Sequence, residues 1–69
     1  MKTLTPAKFR KRLQQKMDAH GMSMGELARQ AGINKAAISR YLNKDYLPTV
    51  DTLNRISHVF GVSMDSWLE

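Results

Sequence analysis

Residues 23–42 read SMGELARQAGINKAAISRYL, and the spacing of small and branched residues in this stretch decides the fold. Two helices that cross steeply through a short turn need a small residue at the crossing and a turn residue that tolerates positive φ. They also need a branched apolar residue that locks the second helix onto the first. Ala28, Gly32 and Ile38 supply these features in that order. With Leu27 beside Ala28, they form the predicted core of a helix-turn-helix.

Helix start and stop signals recur along the chain, whereas the alternation typical of strands is nearly absent. Thr5-Pro6 predicts the start of a first helix, and Gly21 predicts its end. Pro48-Thr49 and Gly61 mark a later helix in the same way. The expected helices lie at about residues 6–20, 23–31, 35–42, 49–60 and 64–68. The sequence therefore predicts an all-α domain of five short helices, with the helix-turn-helix at the second and third.

The chain has 69 residues and no cysteine. This length accommodates one domain, residues 1–69, with a thin core. The lack of cysteine excludes disulfides and thiolate-bound zinc, and His20 and His58 do not have the ligand spacing of a zinc site. No apolar run is long enough for a membrane span or a signal-peptide core. We therefore expect a cytoplasmic domain without metal or cofactor.

Positive charge is concentrated at the start of the chain, whose formal net charge is +5. Residues 1–16 carry +6, residues 17–44 carry +2 and residues 45–69 carry −3. A basic surface favours a polyanionic partner, nucleic acid before an acidic membrane. The binding surface is therefore expected in the first two thirds of the chain.

Residues 24–43 closely resemble the motif of the lambda repressor/Cro-like helix-turn-helix family, of the xenobiotic-response-element type. The similarity continues through residues 48–53, Ile56 and residues 60–68, so that it covers about residues 6–68 without gaps. The resemblance implies a compact five-helix, lambda-repressor-like domain that binds duplex DNA, usually as a two-fold dimer.

The same resemblance places a recognition helix at residues 35–42, and burial of Ile38 turns several side chains of this helix outward. Lysine and arginine can donate to guanine O6 and N7, and alanine can contact a thymine methyl group. The expected base contacts are Lys35, Ala36, Ala37, Ser39 and Arg40. The expected phosphate contacts, through side chains or helix N-terminal N–H groups, are Arg10, Ser23, Met24, Asn34, Asn43 and Lys44.

Two positions depart from the family pattern. The family often has glutamine at the start of the second helix, where it holds a phosphate, but this chain has Met24, whose side chain cannot donate. Some members pair an arginine of the first helix with a glutamate near the end of the third. Leu42 occupies that glutamate position here, and Arg10 is therefore expected to be available for a phosphate.

The C-terminal residues allow two interpretations. Trp67 and Leu68 can complete the core of the monomer, or they can form part of a dimer surface together with Met64. The second interpretation uses the net acidic last third of the chain, which DNA repels. It predicts dimer contacts at Met64, Trp67 and Leu68 and leaves the basic helices to face DNA.

Two classes of function fit these features. The first is a sequence-specific transcription regulator at the nucleoid, a repressor or autoregulator of phage or antitoxin type, which binds double-stranded DNA as a homodimer on an inverted repeat. Whether the protein also has a toxin or a sensor domain as its partner is not determined by these features. The alternative is a protein-interaction or membrane-surface module with the same fold. Basic and small side chains on the third helix favour DNA. No serine has the base partner that nucleophilic catalysis needs, so an enzyme is not expected.

Overall fold

The computed structural model describes residues 3–68, which form four α-helices and a C-terminal 3-10 helix. The helices are α1 (Pro6–His20), α2 (Met24–Ala31), α3 (Lys35–Asn43) and α4 (Val50–Phe60), followed by the 3-10 helix Met64–Leu68. No strand occurs within residues 3–68. The prediction of an all-α fold is confirmed, and the fifth predicted helix is the 3-10 helix. None of the described helices is both long and apolar enough to cross a membrane.

Each of the four α-helices begins at a side chain that caps its first turn. The cap oxygen accepts a hydrogen bond from a backbone N–H of the first turn, which satisfies a donor that has no partner within the helix. The cap residues are Thr5, Ser23, Asn34 and Thr49, with donor–acceptor distances of 2.8–3.2 Å.

The turn between α2 and α3 depends on Gly32, which has φ +69°. In this left-handed conformation the backbone oxygen of Ala28 accepts from the N–H groups of both Gly32 and Ile33. The chain can then reverse and enter α3 at Asn34. Leu27 and Ala28 are buried on the near side of this turn. The expected positive φ at Gly32 is therefore observed.

The core lies between the four α-helices and the 3-10 helix. Each of the four α-helices contributes one or more buried apolar side chains, and Ser57 of α4 is buried among them as a polar residue. The core residues are Phe9, Leu13, Met17, Leu27, Ala28, Ala31, Ile38, Ile56, Phe60 and Trp67.

Trp67 belongs to the core of the monomer and is 0% exposed. Its indole N–H donates to Ser57 Oγ at 2.8 Å, and its ring lies 5.2 Å from that of Phe9 between centroids. Burial in one copy leaves no surface of Trp67 for a second copy. Of the two interpretations of this residue, the one that made it a dimer contact is wrong.

Candidate nucleic-acid interface

α3 turns its small and polar side chains away from the core. Ile38 is fully buried, and the ring of Tyr41 packs edge-on against Phe9, with 5.5 Å between the centroids. These contacts fix the rotation of α3 about its own axis. The exposed residues of α3 are Lys35, Ala36, Arg40 and Asn43. They share an arc of about 140° on a helix with 3.6 residues per turn.

Two of the predicted base contacts are less accessible, because Ala37 and Ser39 are half-buried. Asn43 Nδ2 donates to the backbone oxygen of Ser39 at 2.9 Å and to its Oγ at 3.2 Å. Ser39 keeps its own hydroxyl hydrogen for another acceptor. The amide of Asn43 is folded back on α3 and must leave these bonds before it can bind a phosphate.

The cations of this surface are not paired within the described residues. Lys35, Arg40 and Lys44 take part in no side-chain hydrogen bond or ion pair among residues 3–68, and all three are exposed. The ion pairs of this region join other arginines to the nearby acids. The pairs are Arg10–Asp45, Arg29–Glu26 and Arg55–Asp51. Positive charge therefore stays available on and beside α3.

The N-terminal ends of α2 and α3 present backbone N–H groups to solvent. The N–H of Glu26 is bound to Ser23 Oγ and that of Leu27 to the Ser23 backbone oxygen, so Met24 and Gly25 hold the free donors at the start of α2. Lys35 has the corresponding free N–H at the start of α3. Helix N-termini carry partial positive charge and bind phosphates.

Ser23 and Asn34 contribute to these ends as caps, since each side-chain oxygen is used to hold its own helix. The Met24 side chain is half-buried against the core. Only the backbone of Met24 is therefore placed for a phosphate, and its side chain anchors α2 to the domain.

Arg10 is paired, contrary to the expectation that it is available for a phosphate. Its Nη1 lies 2.6 Å from Asp45 Oδ1, in the loop that follows α3. The pair is exposed, with side-chain exposures of 40% for Arg10 and 67% for Asp45. It ties α1 to the end of α3. Asp45 lies three residues after Leu42 and outside α3. For this reason the position at which the family has a glutamate, here Leu42, did not predict the pair.

Part of the basic charge on α1 also holds the fold together. Arg12 donates to the backbone oxygen of Ser66 at 3.2 Å, and Lys16 Nζ lies 5.0 Å from the centre of the Trp67 ring. The exposed α1 cations without such a contact are Lys8 and Lys11. Lys2, which was counted in the positive charge of residues 1–16, lies outside the described residues. The charge of α1 is thus divided between packing and solvent.

The remaining predicted dimer contacts offer little free surface. Met64 and Leu68 are half-buried, and Met64 Sδ lies 3.7 Å from Ser57 Oγ. Both belong to the 3-10 helix that covers the core. The 3-10 helix is therefore packed against α1 and α4 of its own chain.

Two features of this surface were not identified from the sequence. Gly25 lies in the exposed first turn of α2, where a Cβ atom would meet nothing within 4 Å. A glycine in the first turn of a helix indicates that a side chain is unfavourable there for another reason, because alanine is the better helix former. The second feature is a group of exposed apolar side chains, Tyr46, Leu47 and Val50. The sequence indicates this group only by Tyr46 and Leu47, two consecutive apolar residues in a predicted loop.

Within residues 3–68 no three potential metal ligands come together. The geometry instead provides a convex surface of exposed cations, small side chains and free N–H groups. Such a surface fits a duplex, whose grooves and phosphates approach a protein from outside.

Comparisons with known proteins agree with this geometry. The sequence profile of a helix-turn-helix family matches residues 13–67. No curated protein matches the chain. Among solved structures, SinR, a master regulator for biofilm formation, in complex with DNA is similar, with a TM-score of 0.81 and 29% identity; the match covers 88% of this chain and 98% of that one. The SinR/SinI protein complex gives a TM-score of 0.80 and 31% identity, over 88% of this chain and 60% of that one.

Proposed function

The chain belongs to the helix-turn-helix family of the Cro/C1 type, and we propose that it is a transcription regulator that binds double-stranded DNA sequence-specifically. Residues 1–69 act as one DNA-binding domain in this proposal, with α3 as the recognition helix in the major groove. The similar SinR structure in complex with DNA supports the same mode of binding.

The observation that carries the proposal is that Lys35 and Arg40, two exposed cations on the outer arc of α3, have no ion-pair partner among residues 3–68. Both can donate to the O6 and N7 acceptors of guanine, and Arg40 can do so with two N–H groups. Ala36 lies between them, small enough to let α3 approach and able to contact a thymine methyl group. Ser39, which is half-buried, lies within the same arc, and the half-buried Ala37 lies just outside it.

Phosphate contacts then fix the position of α3 in the groove. The free N–H groups of Met24, Gly25 and Lys35 are suited to two phosphates of the backbone. Lys44 adds a positive charge at the opposite end of α3. The remaining proposed phosphate contacts are the polar groups of Ser23 and Asn34, and Arg10 and Asn43 after they release their present partners.

One recognition helix reads only a few base pairs, so useful specificity requires two copies. We expect a homodimer on an inverted repeat, with half-sites centred about 34–36 Å apart on one face of the duplex. A dimer bound in this way excludes other proteins from the same DNA. This supports the action of a repressor or autoregulator.

The test begins with selection of binding sites from a random duplex library, which the proposal expects to yield an enriched inverted repeat. Arg40→Ala should then weaken binding to the selected site by about 1–3 kcal/mol and relax the preference at one base pair. Lys11→Ala is the matched control, since it removes the same charge from an exposed cation of α1 that lies outside the α3 arc and, like Arg40, has no ion-pair partner among residues 3–68. It should lower binding to selected and random duplexes by the same small factor.

Competition titrations by fluorescence anisotropy provide the measurement. If Arg40→Ala lowered binding to selected and random duplexes equally, Arg40 would contact only phosphate and the proposed role of α3 in base recognition would fail. If the library yielded no enriched sequence, the protein-interaction alternative would replace sequence-specific regulation.

A further inference from the structure

The large apolar side chains that stay exposed within residues 3–68 are confined to one short segment. They are Tyr46, Leu47 and Val50, which are 50%, 46% and 76% exposed. The segment runs from the loop after α3 into the first residue of α4. We call these three side chains the loop patch. The other large apolar side chains of residues 3–68 are half-buried or buried.

The loop patch is held in place by bonds of its own segment. The N–H of Tyr46 donates to the Lys44 backbone oxygen at 3.0 Å, and Thr49 Oγ1 caps α4. The ion pair of Asp45 with Arg10 ties the start of the segment to α1. The patch is therefore presented on an ordered loop, and a partner need not order it first.

We infer that the loop patch is the surface by which two copies of this chain meet across a two-fold axis on DNA. The inference rests on the proposed function and names the partner surface that the proposed dimer requires. A two-fold axis brings each surface against its own copy, and an apolar patch is complementary to itself. Trp67, the other apolar candidate, is used by the core.

Charges at the edge of the patch permit this contact. The two acids that flank it, Asp45 and Asp51, are each paired with an arginine of the same copy. Two copies can therefore approach without bringing uncompensated carboxylates together.

The position of the loop patch agrees with the arrangement of two half-sites. It follows the C-terminal end of α3, while the base-reading residues start at the N-terminal end. Nine residues of helix span about 13 Å, so most of the length of α3 separates its reading end from the loop that follows it. A loop patch at the two-fold axis therefore places the two reading ends on opposite sides of the axis, the arrangement that two half-sites on one face of the duplex require.

The size of the patch predicts a dimer that forms on DNA and is weak without it. Three partly exposed side chains cover only a small part of the roughly 800 Å² per partner that a stable interface buries. Two adjacent half-sites supply the missing affinity, because they hold two copies at high effective concentration.

Val50→Asp is the first test, since it places a charge in the patch while the fold is preserved. Val50 is the first residue of α4, where an acidic side chain is favourable for the helix dipole. Gln15→Glu is the matched control: it changes the charge by the same amount at an exposed residue of α1. Leu47→Ser removes apolar surface without adding charge. Binding of each variant is measured on the selected full site and on an isolated half-site.

The inference predicts that Val50→Asp and Leu47→Ser lower the cooperative gain on the full site by about tenfold, within the usual range of coupling between sites. Half-site binding by Val50→Asp should match that of Gln15→Glu within about twofold. Unchanged cooperativity in both patch variants would overturn the inference. So would an equal loss on half-site and full site, which would assign the patch to contact with DNA itself.

A thiol cross-link separates failure of this inference from failure of the proposed function. The chain has no cysteine, so Val50→Cys carries a single thiol, and a short bismaleimide should join two copies at high protein concentration even without DNA. Gln15→Cys should stay monomeric under the same conditions. If wild type binds no duplex, DNA recognition fails while a Val50→Cys cross-link still supports the patch. Absence of the cross-link both with and without DNA would overturn the inference.

Discussion

Gly32 carries the turn of the helix-turn-helix in a conformation that other residues rarely adopt. Its φ is +69°, and a Cβ atom added there would lie 3.4 Å from Arg55 Nη1. The Arg55 side chain is in turn bound to Asp51 at 3.1 Å. A side chain at this position therefore meets backbone strain and comes close to the flexible end of the Arg55 side chain.

Gly32→Ala should lower the free energy of unfolding by about 1–3 kcal/mol, because a non-glycine residue in the left-handed region is strained. Gly61→Ala is the matched control, with φ +66° and open space around its Cβ. It should show the strain alone and so lose no more than Gly32→Ala. Urea denaturation of both variants without DNA gives the values. Wild-type stability in Gly32→Ala would contradict the role of positive φ in this turn.

The contacts of two other residues, Trp67 and Arg10, could not be predicted from the sequence. The sequence left Trp67 between core and interface, because the choice depends on Ser57 and Phe9, which only the folded chain brings to its indole. The partner of Arg10 was missed because Asp45 is separated from it by 35 positions and lies in a loop. Local patterns do not report such distant pairings.

Helix ends, in contrast, are local features and were predictable. The starts predicted at Thr5-Pro6 and Pro48-Thr49 agree with the observed caps Thr5 and Thr49, and α3 ends one residue later than predicted, at Asn43. The last helix is different. A segment of five residues forms an α-helix or a 3-10 helix according to bonds that differ by one position, and packing against α1 and α4 decides between them.

The exposed start of α2 leads to a prediction in which stability and affinity change in opposite directions. Gly25→Ala should raise the free energy of unfolding by about 0.4–1 kcal/mol, since Gly25 has helical φ and its Cβ would meet nothing. The same Cβ would occupy the approach of a phosphate to the free N–H groups of Met24 and Gly25. Half-site affinity should therefore fall by about tenfold, the equivalent of one charge-assisted hydrogen bond.

Asn54→Ala provides the control for Gly25→Ala, because it also improves helix propensity but at an exposed residue of α4. It should raise stability and leave half-site affinity unchanged. Thermal melts and anisotropy titrations measure the two quantities. If Gly25→Ala bound half-sites as tightly as wild type, phosphate binding at the start of α2 would be excluded.

At the scale of the whole molecule, the charge distribution along the chain predicts a negatively charged partner but only part of the surface that binds it. The first sixteen residues hold the densest positive charge, yet Arg10, Arg12 and Lys16 contact Asp45, Ser66 and Trp67. These contacts stabilise the domain and reduce the share of α1 in any binding surface. Lys35, Arg40 and Lys44, which have no ion-pair partner among residues 3–68, carry fewer charges than α1. They lie on and beside α3, where they can reach the major groove of a duplex.

The size of the domain makes the spacing of half-sites a strict test of a two-copy complex. The described chain measures 33 × 24 × 22 Å, so two copies on half-sites about 34 Å apart can just contact each other. Inserting five base pairs between the half-sites rotates one copy to the opposite side of the duplex. Cooperative binding should then vanish, and the affinity of each half-site should stay the same.

Inserting ten base pairs returns both copies to one face but adds about 34 Å to their separation. Two domains with a longest dimension of 33 Å can no longer contact each other directly, so cooperativity should stay absent. Titrations on the original, five-pair and ten-pair duplexes, analysed for stoichiometry and cooperativity, distinguish the possibilities. Recovery with ten pairs would mean that the copies communicate through the duplex or a longer arm. Equal binding to all three duplexes would show independent monomers, and the dimer would have to be abandoned.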